Sequence, residues 1–197
     1  MNQHIYYAIL YPPMKLRIFV ALELKDDSIR SSIAKVQERI MATGADLRKV
    51  EPSILHMTLK FIGEVQEKEL VEIQSLLKQI KADSFEAKVE GVGAFPSMNR
   101  INVVWVGLKD ADNKVLELHS LVNKALERWG EKEKNFHPHM TIFRVRSGKN
   151  VDKLKETIKE LSSFEFGRCR FDEFQLKKSV LTPAGPLYTN IEVYRMI

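Results

Sequence analysis

Residues 54–65 read ILHMTLKFIGEV, and the same pattern returns at residues 136–145, which read FHPHMTIFRV. Each segment holds the tetrapeptide His-Met-Thr-aliphatic, flanked by the apolar and β-branched residues typical of strands. Side chains alternate between the two faces of a strand, so in each segment the His and the Thr share one face while the Met and the aliphatic residue share the other. One face of each predicted strand therefore offers an imidazole and a hydroxyl, and the opposite face supplies a core.

The polar residues of these segments, His56, Thr58, His139 and Thr141, suit the chemistry of a phosphate group. In-line displacement at phosphorus needs a base for the attacking oxygen, an acid for the leaving oxygen and donors for the nonbridging oxygens. Two imidazoles can fill the first two roles, and two hydroxyls can fill the third. A single histidine on a strand is more often structural, but packing gives no reason for the pair to recur with the same neighbours. The repeat therefore predicts one shared active site, and the scheme requires no metal and no other cofactor.

Two further residues lie at the same offset, five positions beyond each histidine. Arg144 could hold a phosphate through two parallel hydrogen bonds, or it could be a solvated charge at the end of a strand. Phe61 could offer a ring on which a base stacks, although core packing is the more common use of such a residue. Ser179 and Tyr188 flank a predicted closing turn and could reach the rim of the cleft, while hairpin packing explains both equally well.

The rest of the chain predicts strands and helices that alternate around the two motifs. Apolar and β-branched runs predict strands, spacings of three and four predict helix faces, and Gly, Asn, Asp and Pro mark the ends. In chain order the first predicted elements are strand 17–24, a helix that Asp26, Asp27 or Ser28 can cap and that Gly44 ends, strands 46–50 and 54–62, and a helix with Leu70, Ile73, Leu77 and Ile80 on one face. They are followed by strands 85–95 and 101–106, helix 111–129, the second motif strand, a helix capped by Asn150 and running to Leu161, one or two strands within 164–181, a turn at 182–186 and a hairpin strand at 187–194.

This order predicts an α+β fold with two pseudo-symmetric lobes. Each lobe would be a mostly antiparallel sheet with helices on its outer side, and the active cleft would lie between the lobes. The two halves of the chain follow a similar order, each with one motif, and no Gly-, Ser- or Pro-rich linker separates them. We therefore expect residues 14–197 to form a single bilobal domain. Residues 1–13 are expected to be an N-terminal extension, with Met14 as the natural start.

Composition limits the class of protein and its partners. The 197 residues carry a formal charge of +5, which favours an anionic partner, with nucleic acid ahead of membrane. No apolar run approaches the roughly 18 residues of a membrane-spanning helix. The single cysteine, Cys169, excludes an intrachain disulfide and fits a reducing, cytoplasmic location. A monomer is the default expectation.

Four stretches taken together resemble a known family: RIFVALEL, ILHMTLKFIGEV, FHPHMTIFRV and SVLTPAGPLY. From about Met14 to the C-terminus the chain resembles the RNA 2′,3′-cyclic phosphodiesterases, also called 2′-5′ RNA ligases of the LigT type, of the two-histidine phosphoesterase superfamily. The first stretch looks like the opening strand of the family, the next two look like its His-x-Thr motifs, and the last looks like its closing hairpin. An ordered set of this kind is far more specific than either motif alone.

The resemblance implies an activity and a role for each candidate residue. Members of the family open a 2′,3′-cyclic phosphate at an RNA end to leave a 2′-phosphate, and some join tRNA halves through a 2′-5′ linkage by the reverse chemistry. By this resemblance His56 and His139 are the catalytic pair, Thr58 and Thr141 bind phosphate oxygens, Arg144 contacts the phosphate and Phe61 stacks on the terminal base. As a hypothesis, His56 is the acid that protonates the departing 3′ oxygen and His139 is the base that acts on water.

Two alternatives stay open at the level of sequence. His137 and His139 could bind zinc with His56 as a third ligand, although Pro138 disturbs the strand alternation and no nearby Asp, Glu or Cys completes the set. The chain could also be a non-catalytic module that holds a nucleotide or an RNA end in the same cleft. The sequence has no phosphate-binding loop and no adenylating Lys-x-Asp-Gly motif, so any ligase activity would be the phosphodiesterase reaction run backwards.

Overall fold

A computed structural model describes residues 15–131, 135–183 and 185–197. The predicted extension and Met14 lie outside these residues. In the described ranges the strands are β1 Leu16–Glu23, β2 Leu47–Lys49, β3 His56–Val65, β4 Phe85–Ser97, β5 Arg100–Lys109, β6 His139–Val145, β7 Glu165–Phe171, β8 Glu173–Thr182 and β9 Gly185–Arg195. The helices are α1 Asp27–Met41, α2 Glu67–Lys78, α3 Lys114–Ala125 and α4 Val151–Glu160, with a single 3₁₀ turn at Pro52–Ile54.

The strands form two antiparallel sheets. The first sheet has the order β3-β1-β8-β9, and the second has the order β2-β6-β5-β4-β7. The two motif strands, β3 and β6, lie in different sheets and contact each other where the sheets meet. The predicted α+β class with two lobes is therefore what the structure shows.

The similar order of elements in each half of the chain had suggested that each half forms one lobe. The structure shows a different arrangement. The first sheet combines β1 and β3 from the beginning of the chain with β8 and β9 from its end, whereas β2 and β4 join the second sheet. Strand pairing is decided by contacts over long sequence distances, which the local patterns of polarity and turns do not record.

Two helices cross from one lobe to the other. Helix α1 follows β1 of the first sheet but packs against β7 of the second, and α3 follows β5 of the second sheet but packs against β3 of the first. Ile29 of α1, for example, lies against Gly167 of β7. This exchange places buried apolar residues from both lobes in one continuous core. None of the helices in the described ranges is long and apolar enough to cross a membrane.

The predicted helix boundaries are partly correct. Of the three candidate caps, Asp26 caps α1, since its carboxylate accepts a hydrogen bond from the backbone N–H of Ile29 at 2.9 Å. The predicted helix 111–129 is too long, because the chain enters α3 through Asn113 in the left-handed conformation, with φ 56°. Asn150 also has a positive φ, of 52°, and makes no side-chain cap. Its amide nitrogen instead donates to the carbonyl of Gly44 at 3.0 Å, joining two loops.

Gly130 gives a test of how tightly the α3 connection fits against the first motif strand. Its φ is +69°, and a Cβ at this position would lie 2.1 Å from the carbonyl oxygen of Phe61. We expect Gly130→Ala to lower the free energy of unfolding by about 2–4 kcal/mol, from backbone strain and displacement of β3. Gly148→Ala is the control, since a Cβ there meets nothing within 4 Å. Urea unfolding followed by circular dichroism should separate the two variants, and an equal loss in both would contradict the expectation.

Candidate active site

A β-bulge in β3 places Phe61 on the same face as the histidine and threonine of the first motif. His56 pairs with Glu23 and Thr58 with Ala21, but Phe61 pairs with Phe19, because Leu59 is an extra residue on β3. Residues paired directly across an antiparallel ladder share a face. On a regular strand an offset of five would put Phe61 on the opposite face from His56, and the extra residue reverses that outcome.

The second motif strand carries the same irregularity at the same place. His139 pairs with Gly107 and Thr141 with Trp105, Ile142 is the extra residue, and Arg144 pairs with Val103. Arg144 therefore shares the face of the second histidine and threonine. The structure thus brings all six motif residues onto the inner faces of the two sheets, three on each.

Each bulged residue has its carbonyl oxygen bonded to a side-chain amide on a crossing helix. Gln37 of α1 donates to the carbonyl of Ile142 at 3.1 Å and to that of Val50 at 2.7 Å. Asn123 of α3 donates to the carbonyl of Leu59 at 3.3 Å. The Leu59 carbonyl thus has a donor where the β1–β3 ladder is interrupted, and the Ile142 carbonyl has the Gln37 amide as a second donor beside the backbone N–H of Val50, at 3.0 Å.

The two imidazoles are held in the same orientation. Nδ1 of His56 lies 2.8 Å from the carbonyl oxygen of Ile54, and Nδ1 of His139 lies 2.6 Å from that of His137. A carbonyl can only accept, so Nδ1 carries the hydrogen in both rings. This leaves Nε2 of each ring as the atom available for proton transfer.

Burial favours the neutral form of both rings. It lowers the pKa of His56 from 6.5 to about 4, and the nearby positive charges of Lys177 and Arg144 lower it further, against the opposing effects of the Ile54 hydrogen bond and Glu23. Burial also lowers the pKa of His139, and its hydrogen bond to the carbonyl of His137 acts in the opposite direction. In the ligand-free protein both rings are therefore neutral at pH 7.

Arginines from the second sheet reach the histidine of the first. The positive charge of Arg144 contributes to the lowered pKa of His56. Burial raises the pKa of Tyr188, and the charge of Arg144 opposes that shift. Arg48 is the cross-strand neighbour of Arg144. Its buried Nη2 makes no hydrogen bond within the described part of the chain. Two guanidinium groups on adjacent strands repel each other, and an anion between them would relieve that repulsion.

An aromatic wall lines the side of the cleft that belongs to the first sheet. The ring centroids of Phe19 and Tyr188 lie 5.1 and 5.0 Å from that of His56, and Phe61 lies 6.0 Å from Phe19. Phe61 is 62% exposed, so core packing, the more common use of such a residue, does not account for it. Of the two residues predicted at the rim, Tyr188 contacts His56, and Ser179 lies opposite Tyr188 across the β8–β9 ladder.

Sequence reasoning missed several residues of this site. It did not single out Phe19, Glu23 or Arg48. Phe19 and Glu23 are alternate residues of β1, and Arg48 is on β2 beside β6, so strand alternation was the signal that could have found them. Lys177 of β8 is a further charged residue beside this site. It is only 5% exposed, and its ammonium group lies 3.3 Å from a carboxylate oxygen of Glu23 and 2.6 Å from the amide oxygen of Asn190.

His119 and His137, the other two histidines of the described residues, have different surroundings. His119 stacks on Phe136, with the ring centroids 3.7 Å apart, and both residues are half-buried. The His137 ring lies 4.6 Å from Trp105 and 6.3 Å from the His139 ring. Over residues 15–131, 135–183 and 185–197, no three His, Cys, Asp or Glu side chains are grouped so that they could hold a metal ion. The zinc alternative therefore has no such group among these residues.

Comparison with known proteins agrees with this geometry. The profile of the LigT-like phosphoesterase family matches the chain twice, over residues 22–105 and 106–188, so that each match contains one His-x-Thr motif. The chain is 37% identical to the RNA 2′,3′-cyclic phosphodiesterase of Methanothermobacter thermautotrophicus over 93% of its own length and 100% of the relative. It is 36% identical to the protein of the same name from Archaeoglobus fulgidus, over 91% of the chain and 99% of the relative.

Solved structures share the fold. A Thermus thermophilus protein superposes with a TM-score of 0.75 at 25% identity, covering 91% of this chain and 97% of the other. Escherichia coli LigT, crystallised with 3′-AMP, superposes with a TM-score of 0.76 at 22% identity, covering 93% of this chain and 99% of the other. These matches confirm the predicted fold class, and the family confirms the predicted class of enzyme, a hydrolase. The chain belongs to the LigT-like phosphoesterase family.

Proposed function

We propose that this protein opens 2′,3′-cyclic phosphates at RNA ends to give 2′-phosphates. The observation that carries the proposal is the pair of bulged motif strands, each of which presents an anchored imidazole with a free Nε2, a threonine and a +5 residue to one cleft. The names of the relatives, RNA 2′,3′-cyclic phosphodiesterases, give the substrate class. The positive charge of the cleft suits an anionic substrate.

In the proposed reaction His139 accepts a proton from water as the water oxygen attacks phosphorus. The bond between phosphorus and the 3′ oxygen breaks, and His56 donates a proton to that oxygen, leaving the phosphate on the 2′ oxygen. Thr58, Thr141 and Arg144 bind the nonbridging oxygens, whose charge grows in the transition state. The base of the terminal nucleotide stacks on Phe61, which is exposed in the free protein.

The lowered pKa values fit a site that completes its protonation when substrate arrives. A base must be neutral, and both rings are neutral in the free protein at pH 7. The acid must be protonated, and a bound phosphate anion raises the pKa of a neighbouring imidazole. His56, whose pKa is lowered to about 4, depends most on this effect. Its assignment as the acid remains a prediction.

The same catalytic groups allow the cyclic phosphate to be joined to a second RNA end. If a ribose 5′-hydroxyl replaces water, His139 accepts its proton, the bond to the 3′ oxygen breaks and a 2′-5′ linkage forms, with no ATP or other co-reactant consumed. We propose that RNA ends, including those of tRNA halves, are the partners of a monomeric, cytoplasmic protein, and that hydrolysis dominates in water. No metal or cofactor enters any of these steps.

The first prediction of the proposed function concerns the two imidazoles. In EDTA the intact protein should convert a short RNA ending in a 2′,3′-cyclic phosphate to the 2′-phosphate, and His56→Ala or His139→Ala should each lower the rate at least about 10²-fold. Liquid chromatography of the products checks this. Loss of activity in EDTA would bring back a metal at His137 and His139. Tight binding of the RNA without any turnover would show that the cleft is a binding module.

The second prediction concerns the charge at the second motif. Arg144→Gln should lower kcat/KM by about 10- to 100-fold, since it removes a charged hydrogen-bond donor from the phosphate. Arg144→Lys should recover only part of the loss, because an ammonium group cannot make two parallel bonds. Arg168→Gln is the matched control, with the same change in charge on β7 at the opposite edge of the same sheet from β2. Equal effects of the two glutamine variants would reduce the role of Arg144 to net charge.

The third prediction concerns stability and pH. The folded-state pKa of His56, about 4, lies below its ordinary value of 6.5, so the unfolded chain binds a proton first as the pH falls. The stabilisation is complete above pH 6.5 and is lost towards pH 4, by up to about 3 kcal/mol. The stability difference between the intact protein and His56→Gln should therefore change by about 2 kcal/mol between pH 7.5 and pH 5 in phosphate-free buffer. Urea unfolding measures this, and a difference independent of pH would contradict the burial of the ring.

A further inference from the structure

A second aromatic cluster lies beside His139, in the lobe opposite Phe61, and the proposed hydrolysis does not use it. The His137 ring centroid lies 4.6 Å from Trp105 and 5.6 Å from Phe95, and Phe95 lies 5.2 Å from Trp105. His137 is exposed, and Phe95 and Trp105 are half-buried. We call Phe95, Trp105 and His137 the aromatic shelf.

The backbone of the second sheet places the shelf on the active face. Trp105 is the cross-strand partner of Thr141, and Phe95 pairs with Val103, the partner of Arg144. The absence of a side chain at Gly93 makes room for the indole, since a Cβ there would lie 2.2 Å from its Cζ2 atom.

The shelf lies on the side of β6 away from Arg48, because Trp105 is on β5 and Phe95 is on β4, whereas Arg48 is on β2. His137 precedes β6, so it lies beyond His139 in the direction opposite to Arg144. The edge of the His139 ring faces Phe95, with the two centroids 4.8 Å apart. Trp105 also borders a cavity of about 390 Å³ together with Ser97, Met98 and Lys159. Trp105 therefore contacts the aromatic rings beside His139 and also borders an open space with apolar and polar groups.

We propose that the aromatic shelf stacks the base of a second nucleoside, the one that brings a 5′-hydroxyl to His139. This inference rests on the proposed function, in which the terminal nucleotide occupies the side of His56 and Phe61. In-line attack places the entering oxygen opposite the leaving 3′ oxygen, and therefore beside His139. A base attached to that entering oxygen lies beyond His139, where the shelf is. Every base has a face that can stack on such rings, so the shelf would accept RNA ends of different sequence.

The chemistry of this second nucleoside is balanced in both directions. In joining, the 5′-hydroxyl gives its proton to His139, its oxygen bonds to phosphorus, and the 3′ oxygen leaves with a proton from His56. In cleavage of a 2′-5′ linkage, His56 accepts the proton of the ribose 3′-hydroxyl as its oxygen attacks phosphorus. The 5′ oxygen then departs with a proton from His139, and a 2′,3′-cyclic phosphate is formed.

Three substrates separate the shelf from the hydrolytic site: adenosine 2′,3′-cyclic phosphate, adenylyl-(2′-5′)-adenosine, and a dinucleotide ending in a 2′,3′-cyclic phosphate. His137→Ala should lower kcat/KM for cleavage of adenylyl-(2′-5′)-adenosine by about ten-fold relative to opening of the cyclic mononucleotide. His137→Phe, which keeps an aromatic ring, should restore most of that ratio. Chromatographic assay of all three substrates with the intact protein and both variants gives the result.

Several outcomes would overturn the inference. An unchanged ratio in His137→Ala would show that the shelf touches no second nucleoside. A selective loss with the dinucleotide ending in a cyclic phosphate would place the penultimate base on the shelf instead. Opening of cyclic phosphates by the intact protein without any cleavage of the 2′-5′ linkage would remove the entering nucleoside while leaving the proposed hydrolysis in place. Failure of the proposed function would show separately, as no opening of any cyclic phosphate.

Discussion

The two hydrogen bonds from side-chain amides to bulge carbonyls are the constraint on which the active face depends. Gln37 bonds the carbonyl of Ile142, and Asn123 bonds that of Leu59, each from a helix that belongs by sequence to the other sheet. The bulges turn Arg144 and Phe61 towards the cleft, and the amides provide hydrogen-bond donors at the point where each ladder is interrupted. The Asn123 amide bonds the Leu59 carbonyl, and the Gln37 amide is a second donor to the Ile142 carbonyl, which also accepts from the backbone N–H of Val50 at 3.0 Å. A buried carbonyl left without a partner costs about 1–3 kcal/mol, so these donors favour the bulged strands.

The exchange of helices also ties the two lobes to each other, because each crossing helix is joined along the chain to one sheet and packs on the other. A helix that simply covered its own sheet could stabilise a bulge, but it would leave the two sheets free to move as separate bodies. Because α1 packs on β7 and α3 packs on β3, any opening of the cleft must break contacts in the shared core or pull a crossing helix away from the strand that precedes it. Catalysis at phosphorus needs two imidazoles at a fixed separation, and the crossed helices give that rigidity without a linker or a crosslink.

The sequence predicted which residues carry the chemistry of the site, but it predicted less of how the strands position them. Alternation along a strand was enough to place His and Thr on one face, because that inference needs only two neighbouring residues. The same alternation puts Phe61 and Arg144 on the wrong face, and the bulge that corrects this left a weak signal. Ile142 and Phe143 are two consecutive buried residues, but Lys60 at the corresponding position of the first motif looks polar although it is buried. The sequence also could not predict which strands form each lobe, because the pairing of β8 with β1 joins residues from opposite ends of the chain.

The charge arrangement around His56 ties the fold to the proposed chemistry. Arg144 and Lys177 lower the pKa of a ring that burial has already made hard to protonate, and Arg48 adds a further positive charge beside Arg144. In an empty site this arrangement is unfavourable, because like charges face each other around a desolvated imidazole. A bound phosphate reverses the balance: its oxygens would pair with the guanidinium groups, and its negative charge would favour the imidazolium form. Lys177 already pairs with Glu23, but the repulsion between Arg48 and Arg144 is relieved when a phosphate enters, which is the behaviour expected of a site organised in advance for the charge of its transition state.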